Sequence, residues 1–227
     1  MCGGRGTRLR EGVGGGSESG DSEGDGGAEW REAEKPTDVE KPLVEVAGQS
    51  MLSRVVQALR GSRIGESGTV HAVVSPQAPQ TAERARDLSL SIVETPGDGY
   101  VSDLGTALDA VGRPALTVPA DLPLLAPEHV DDAIARAHVG TPAKGPLPTE
   151  SGNADPTSLT VCVPAALKRR LGASVDTAFE HDGRDVAPTG LNVVAGDDDT
   201  VALTYDARLA VNVNRPADRA LAEALCG

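Results

Sequence analysis

The chain has 227 residues, of which 24% are charged and 39% hydrophobic, with a formal net charge of −13. That size fits one α/β domain with a substantial core, and the acidity argues against a nucleic-acid surface, which requires a basic patch or stripe. Arginine far outnumbers lysine and aromatics make up 2% of the chain, a composition resembling that of proteins from extreme halophiles, where acidic surfaces stay hydrated in concentrated salt. Cys2, Cys162 and Cys226 are odd in number and widely spaced, so neither a disulfide framework nor a zinc knuckle is expected, and a reducing cytoplasm is the default compartment. No apolar run reaches about 18 residues and no charged-then-apolar leader is present, so neither membrane insertion nor export is expected.

The chain opens on Met1-Cys2-Gly3-Gly4-Arg5-Gly6-Thr7-Arg8-Leu9-Arg10. Backbone N–H groups approach oxyanions closely where side chains are absent, and guanidinium groups neutralise the charge that the amides orient, so this run suits a polyphosphate. It is not a Walker A loop, since no Lys-Ser or Lys-Thr follows the glycines, and it is not Gly-x-Gly-x-x-Gly; a mobile Gly-rich terminus is the plainer alternative. A loop of this kind is ordinarily fed by a buried strand, for which no apolar residues stand before Cys2. The expectation is a translated start upstream of Met1, the alternative being a sheet without that strand and with two exposed inner edges.

Residues 11–38 are mainly Gly, Ser, Glu and Asp, with Trp30 almost alone among apolar residues. They cannot offset their own ordering entropy and read as a disordered insertion within a single domain spanning 1–227. Lys41, in Glu40-Lys41-Pro42-Leu43, stands where apolar sequence resumes. A point charge there could reach the phosphates held by the Gly-rich loop, or be a surface lysine at a loop exit.

Apolar runs and amphipathic segments then alternate. Periodicity predicts strands over 69–74, 90–94 and 115–119, and helices over 81–88, 100–111 and 127–138. Strands separated by helical segments imply a mostly parallel, doubly wound sheet flanked by helices. Residues 140–156 carry four prolines and read as an exposed loop. The second half predicts mixed strands over 159–163, 191–194, 201–205 and 209–213, closed by a helix over 217–225.

In open α/β sheets ligands bind beyond the carboxyl ends of the strands, which draws attention to Ser75-Pro76, residues 94–98 and Ala120-Asp121. Asp121 directly follows its strand; a carboxylate there suits a Mg²⁺ ligand, since Mg²⁺ takes one or two protein carboxylates plus phosphates, or else an N-terminal cap for the next turn. Asp103 stands just inside a helix, where the dipole favours it without any function, although it could also accept the N1–H and N2–H donors of guanine. Asn192, Asn212 and Asn214 place short amides at strand ends, for metal water, phosphate or Asx turns. His71, His129, His138 and His181 have no metal-ligand spacing, and no nucleophile elbow appears, which disfavours zinc chemistry and acyl transfer.

Taken in order, Cys-Gly-Gly-Arg-Gly-Thr-Arg-Leu, Glu-Lys-Pro-Leu, Ser-Pro-x-x-Pro-x-Thr, Thr-Pro-Gly-Asp-Gly-Tyr-Val-Ser-Asp-Leu and Ala-Asp-Leu-Pro resemble the nucleotidyltransferase superfamily with its Rossmann-like core. Within it, Gly-Tyr-Val-x-Asp-Leu, Pro-Thr-Gly-Leu-Asn-Val-Val and Val-Asn-Val-Asn most resemble the archaeal GTP:adenosylcobinamide-phosphate guanylyltransferases and set the chain apart from the related molybdenum-cofactor guanylyltransferases. The resemblance implies that Gly3, Gly4, Arg5, Gly6, Thr7 and Arg8 hold the GTP phosphates with Lys41, and that Asp121 binds the Mg²⁺ bridging them. It further implies that Ser75, Thr95 and Asp103 lie near guanine or ribose, that Gly190 and Asn192 line the opposite wall, and that Asn214 is a second metal-side ligand. The implied partners are GTP and adenosylcobinamide phosphate, with a homodimer as a family-level expectation. Molybdopterin as the acceptor, and a non-catalytic nucleotide-binding module, are the alternatives.

Overall fold

The computed structural model describes residues 39–139, 155–196 and 199–226. Elements are named in chain order: a hairpin of β1 (Glu45–Val46) and β2 (Gln49–Ser50), helices α1 (Met51–Gly61) and α2 (Arg63–Ser67), then β3 (His71–Val74), α3 (Pro79–Asp87) and β4 (Ser91–Glu94). The series continues with α4 (Tyr100–Val111), β5 (Ala115–Thr117), α5 (Pro127–Val139), β6 (Ser158–Pro164) and α6 (Ala165–Leu171). It closes with β7 (Phe179–His181), β8 (Arg184–Val194), β9 (Asp199–Leu203) and α7 (Pro216–Leu225).

The α/β order and the mixed strands of the second half are as the periodicity implies. β3 pairs β4 in parallel, and β6 pairs β9 in parallel. The 11-residue β8 runs antiparallel to β5, β6 and β7 and so gathers the second sheet around itself. Among the described residues no ladder joins β3 to β5. An apolar cleft of about 420 Å³ separates them, with Val73, Leu104, Leu108 and Leu116 among its walls.

Helix α1, which no periodicity argument singled out, is the packing centre. The Ser50 hydroxyl accepts the Ser53 N–H at 3.3 Å and caps its start, satisfying one of the donors a helix N-terminus leaves open. Three clusters share it: Val55, Ala58 and Leu59 join the core under β6 and β8, Leu52 and Val56 the core under β3 and β4, and Met51 the cluster with Val46, Leu124, Val211 and Val213.

The strand expected over 209–213 does not form. Ala207–Ala210 is a 3-10 turn, started by the Asp206 carboxylate accepting the Arg208 N–H at 2.9 Å. Beyond it the backbone is satisfied one bond at a time, Ala210 O accepting from Lys168 Nζ and Val213 N–H donating to Asp121 O, both at 2.9 Å. The apolar alternation arises because Val211 and Val213 are fully buried, which periodicity cannot distinguish from a ladder.

Asp206 also anchors this turn to α5. His129 Nδ1 accepts the Ala126 N–H at 3.0 Å, so the ring proton sits on Nε2, which donates to Asp206 Oδ2 at 2.9 Å. The Arg208 guanidinium, followed by this histidine, holds the Asp206 carboxyl well below the usual carboxylate range. A depressed folded-state value contributes stability above the unfolded value of about 4 and loses it as pH falls toward the folded one. Asp206→Asn should therefore unfold at a lower temperature than the parent at pH 7, with the gap narrowing as pH drops below about 4. A gap that is constant across that range in thermal unfolding would contradict the assignment.

Candidate nucleotidyl-transfer site

Asp121 follows β5 after Val118-Pro119-Ala120. Its Oδ2 accepts from Lys41 Nζ at 2.5 Å, and its Oδ1 from Asn212 Nδ2 at 3.2 Å. The same ammonium donates to Asn214 Oδ1 at 2.6 Å. The Lys41 and Asp121 side chains are 15% and 19% exposed, so the pair interacts with less solvent screening than a surface ion pair.

Each member is placed by its own support. Lys41 opens a 3-10 turn, Lys41–Leu43. Its neighbour Glu40 reaches the start of α3, where its two carboxylate oxygens accept the Gln80 and Thr81 N–H groups at 2.9 and 2.7 Å. Ala78, at the cap position, cannot supply those acceptors; Glu40 does so from a distant segment and adds a charge that the helix dipole favours.

Asn214 is held by Asp218, which is 1% exposed. That carboxylate accepts the N–H groups of Asn214 and Arg215 at 3.1 and 2.8 Å and both the N–H and the hydroxyl of Ser174 at 2.7 and 2.8 Å. Asn214 Nδ2 donates to Asp176 Oδ2 at 2.9 Å, which turns Oδ1 toward Lys41. Asn212 is fixed at both ends: Nδ2 also donates to Thr189 O at 2.9 Å, and Oδ1 accepts from Lys168 Nζ at 3.1 Å. Burial pushes the Lys168 ammonium below the usual lysine range, with the charges of Asp218, Asp121 and Asp176 opposing the shift.

The structure brings Lys41, Asp121 and Asn214 together. Ser75 is buried at the exit of β3, and its hydroxyl has no hydrogen-bond partner among the described residues. The Thr95 hydroxyl donates to Val74 O at 3.2 Å. Asp103 Oδ1 accepts the Gly97 N–H at 2.9 Å, folding the loop before α4 back onto that helix. The Asn192 amide donates to Gly190 O at 3.2 Å and stays in the ladder opposite Thr117 and Thr160; the amide that reaches Asp121 is that of Asn212. Gly3, Gly4, Arg5, Gly6, Thr7 and Arg8 lie outside the described residues.

Four supporting residues escaped the sequence reading: Glu40, Lys168, Asp176 and Asp218. Asp218 carried only half a local signal: as the third residue of α7 it accepts the Arg215 backbone N–H at 2.8 Å, while the Arg215 side chain, a donor only, cannot complete a capping box. Lys168 carried none, since Lys168-Arg169-Arg170 reads as a solvated helix face.

Among the described residues no three His, Cys, Asp or Glu side chains are grouped to hold a metal ion. The cluster instead offers two hard oxygens, one anionic and one neutral, converging on a single cation, in a chain whose residues 1–186 match the MobA-like NTP transferase domain. The chain belongs to the MobA-like NTP transferase family. It is a nucleotidyltransferase with a Rossmann-like core. The chain is 26% identical over 195 residues to the adenosylcobinamide-phosphate guanylyltransferase of Methanocaldococcus jannaschii, covering 82% of this chain and 89% of that protein. The solved CMP:2-keto-3-deoxy-manno-octonic acid synthetase complexed with CTP superposes with a TM-score of 0.53 at 12% identity, over 84% of this chain and 93% of that one, a likeness of fold. A hypothetical transferase from Thermus thermophilus aligns at a TM-score of 0.45 and 19% identity over 70% of this chain and spans only 58% of that one.

The MobA-like site also depends on close packing behind Asp121. Gly190 has φ +88°, and a Cβ there would meet Pro119 Cγ at 2.6 Å and Cδ at 2.8 Å. Gly190→Ala should destabilise the protein by on the order of 1–3 kcal/mol, through both overpacking and backbone strain. Denaturant unfolding of that variant checks this; a midpoint equal to the parent's would show that Pro119 is free to move.

Proposed function

We propose that this nucleotidyltransferase moves the GMP moiety of GTP onto adenosylcobinamide phosphate, giving adenosylcobinamide-GDP and pyrophosphate in the assembly of the cobalamin nucleotide loop. The observation that carries the reading is the convergence of Lys41, Asp121 and Asn214 at the strand exits. The acceptor rests on the activity for which the relative from M. jannaschii is named and on the motif order that resembles its family.

Two oxygens that already share one ammonium at 2.5 and 2.6 Å suit a hard divalent cation, and Asp121 Oδ2 with Asn214 Oδ1 would hold Mg²⁺ alongside phosphate oxygens and water. Bound there, Mg²⁺ would supply positive charge to the α-phosphoryl oxygens and the leaving pyrophosphate. Lys41 would then turn its ammonium to the phosphates, joining the guanidinium groups of Arg5 and Arg8 and the backbone of the Gly-rich start. Ser75 and Thr95, at the exits of β3 and β4, and Asp103, in the first turn of α4, would border the guanosine.

The acceptor phosphate is already an oxyanion near neutral pH, so one of its oxygens bonds to the α-phosphorus as the bond to the α,β-bridging oxygen breaks. No general base is needed, and the protein's task is alignment and charge compensation. His129 fits this account, with both ring nitrogens engaged by Ala126 and Asp206.

Pyrophosphate release from GTP with Mg²⁺ in concentrated KCl, compared across adenosylcobinamide phosphate, molybdopterin and no acceptor, tests the reading. Release should require the cobinamide phosphate, and Asp121→Asn should lower it by about 10²-fold or more. Release with molybdopterin alone would reassign the acceptor; silence with both acceptors in protein that binds GTP would make the chain a non-catalytic module.

A further inference from the structure

We infer that Lys168 is a positioning residue for this site: it locks Asn212 in the one amide orientation that donates to Asp121, and so keeps Asp121 Oδ2 presented to the divalent cation. The inference rests on the reading of Asp121 and Asn214 as cation ligands.

Lysine can only donate hydrogen bonds, so Asn212 must turn its carbonyl oxygen to Lys168 Nζ, 3.1 Å away. Both N–H donors of the amide then find acceptors, Thr189 O at 2.9 Å and Asp121 Oδ1 at 3.2 Å. A flipped amide would press its oxygen against those two oxygens and its NH₂ against the ammonium, an arrangement unfavourable at both ends. The lock has its own anchor, since Lys168 Nζ also donates to Ala210 O at 2.9 Å.

The consequence falls on Asp121. With Oδ1 committed to Asn212, the carboxylate cannot rotate to offer both oxygens to one ion. Mg²⁺ demands near-octahedral geometry at short distances and is served by a single oxygen from such a ligand. Lys168 is 4% exposed, and burying an ammonium is costly unless it is paired and hydrogen-bonded. A helix facing a core needs no such residue for packing alone. The lysine is the element that orients the amide, and the nearby carboxylates Asp121, Asp176 and Asp218 sustain its charge.

The test uses Mn²⁺ as the probe, titrated against the full chain with free Mn²⁺ read by electron paramagnetic resonance, and circular dichroism to confirm folding. Lys168→Met should weaken Mn²⁺ binding by about 10- to 100-fold, the loss typical when the partner of a metal ligand is removed. Asn212→Leu should show the same loss, and the double variant should be no weaker than the weaker single, because both act through one contact. Lys168→Gln keeps a polar side chain that can present either end of its amide, so it should also weaken binding if Lys168→Met fails to fold. A folded Lys168 variant with parental Mn²⁺ affinity and only a lower melting temperature, or additive losses in the double variant, would overturn the inference. Parental protein that binds Mn²⁺ no better than Asp121→Asn would instead overturn the reading of the cation site itself.

Discussion

The constraint on which the site depends is that the Asp121 carboxylate, mostly withdrawn from water, is met by a donor on each of its two oxygens. A buried carboxylate is tolerated only with compensating charge and hydrogen bonds. Here the compensation is split between its two oxygens, the Lys41 ammonium on Oδ2 and the Asn212 amide on Oδ1. Under the proposed function, that division would let Oδ2 exchange its cation while the amide holds Oδ1. A nucleotidyl-transfer site needs both, because the phosphates and their counter-ion enter and leave while the frame stays still.

The rest of the fold supplies the frame. Glu40 ties the Lys41 turn to α3, Asp218 ties Asn214 to α7 and to Ser174, and Lys168 ties Asn212 to α6. Each anchor comes from a different helix, and the segments meet where Lys41 bridges Asp121 and Asn214 and where Asn212 reaches Asp121. Helix α1 is shared by all three hydrophobic clusters, and tertiary burial of this kind keeps such segments in register to within the fractions of an ångström that phosphoryl chemistry requires.

Much of the fold was legible because its signals are local. Tyr100–Val111 forms the helix that its glycine-bounded pattern predicts, and Pro127–Val139 follows its apolar spacing to within a residue. The strand expected over 209–213 failed because burial from all sides imitates strand alternation, while Asp206 and Lys168 satisfy the backbone with side chains in place of a ladder. The site was legible only as an ordered set of motifs: Lys41 and Asp121 lie 80 positions apart, Lys41 and Asn214 173, so no spacing argument could join them. Residues that hold Asp121 and Asn214 in place were invisible for the same reason. Lys168 looks like one basic residue among several on α6, and its role appears only when Asn212 is brought beside it.

The most direct measurement is the anomalous-scattering position of Mn²⁺ in crystals of the full chain with GTP. The account predicts a single Mn²⁺ between Asp121 Oδ2 and Asn214 Oδ1, with Lys41 Nζ moved from that point onto a phosphate oxygen. Mn²⁺ bound elsewhere, with Lys41 still bridging Asp121 and Asn214, would contradict it.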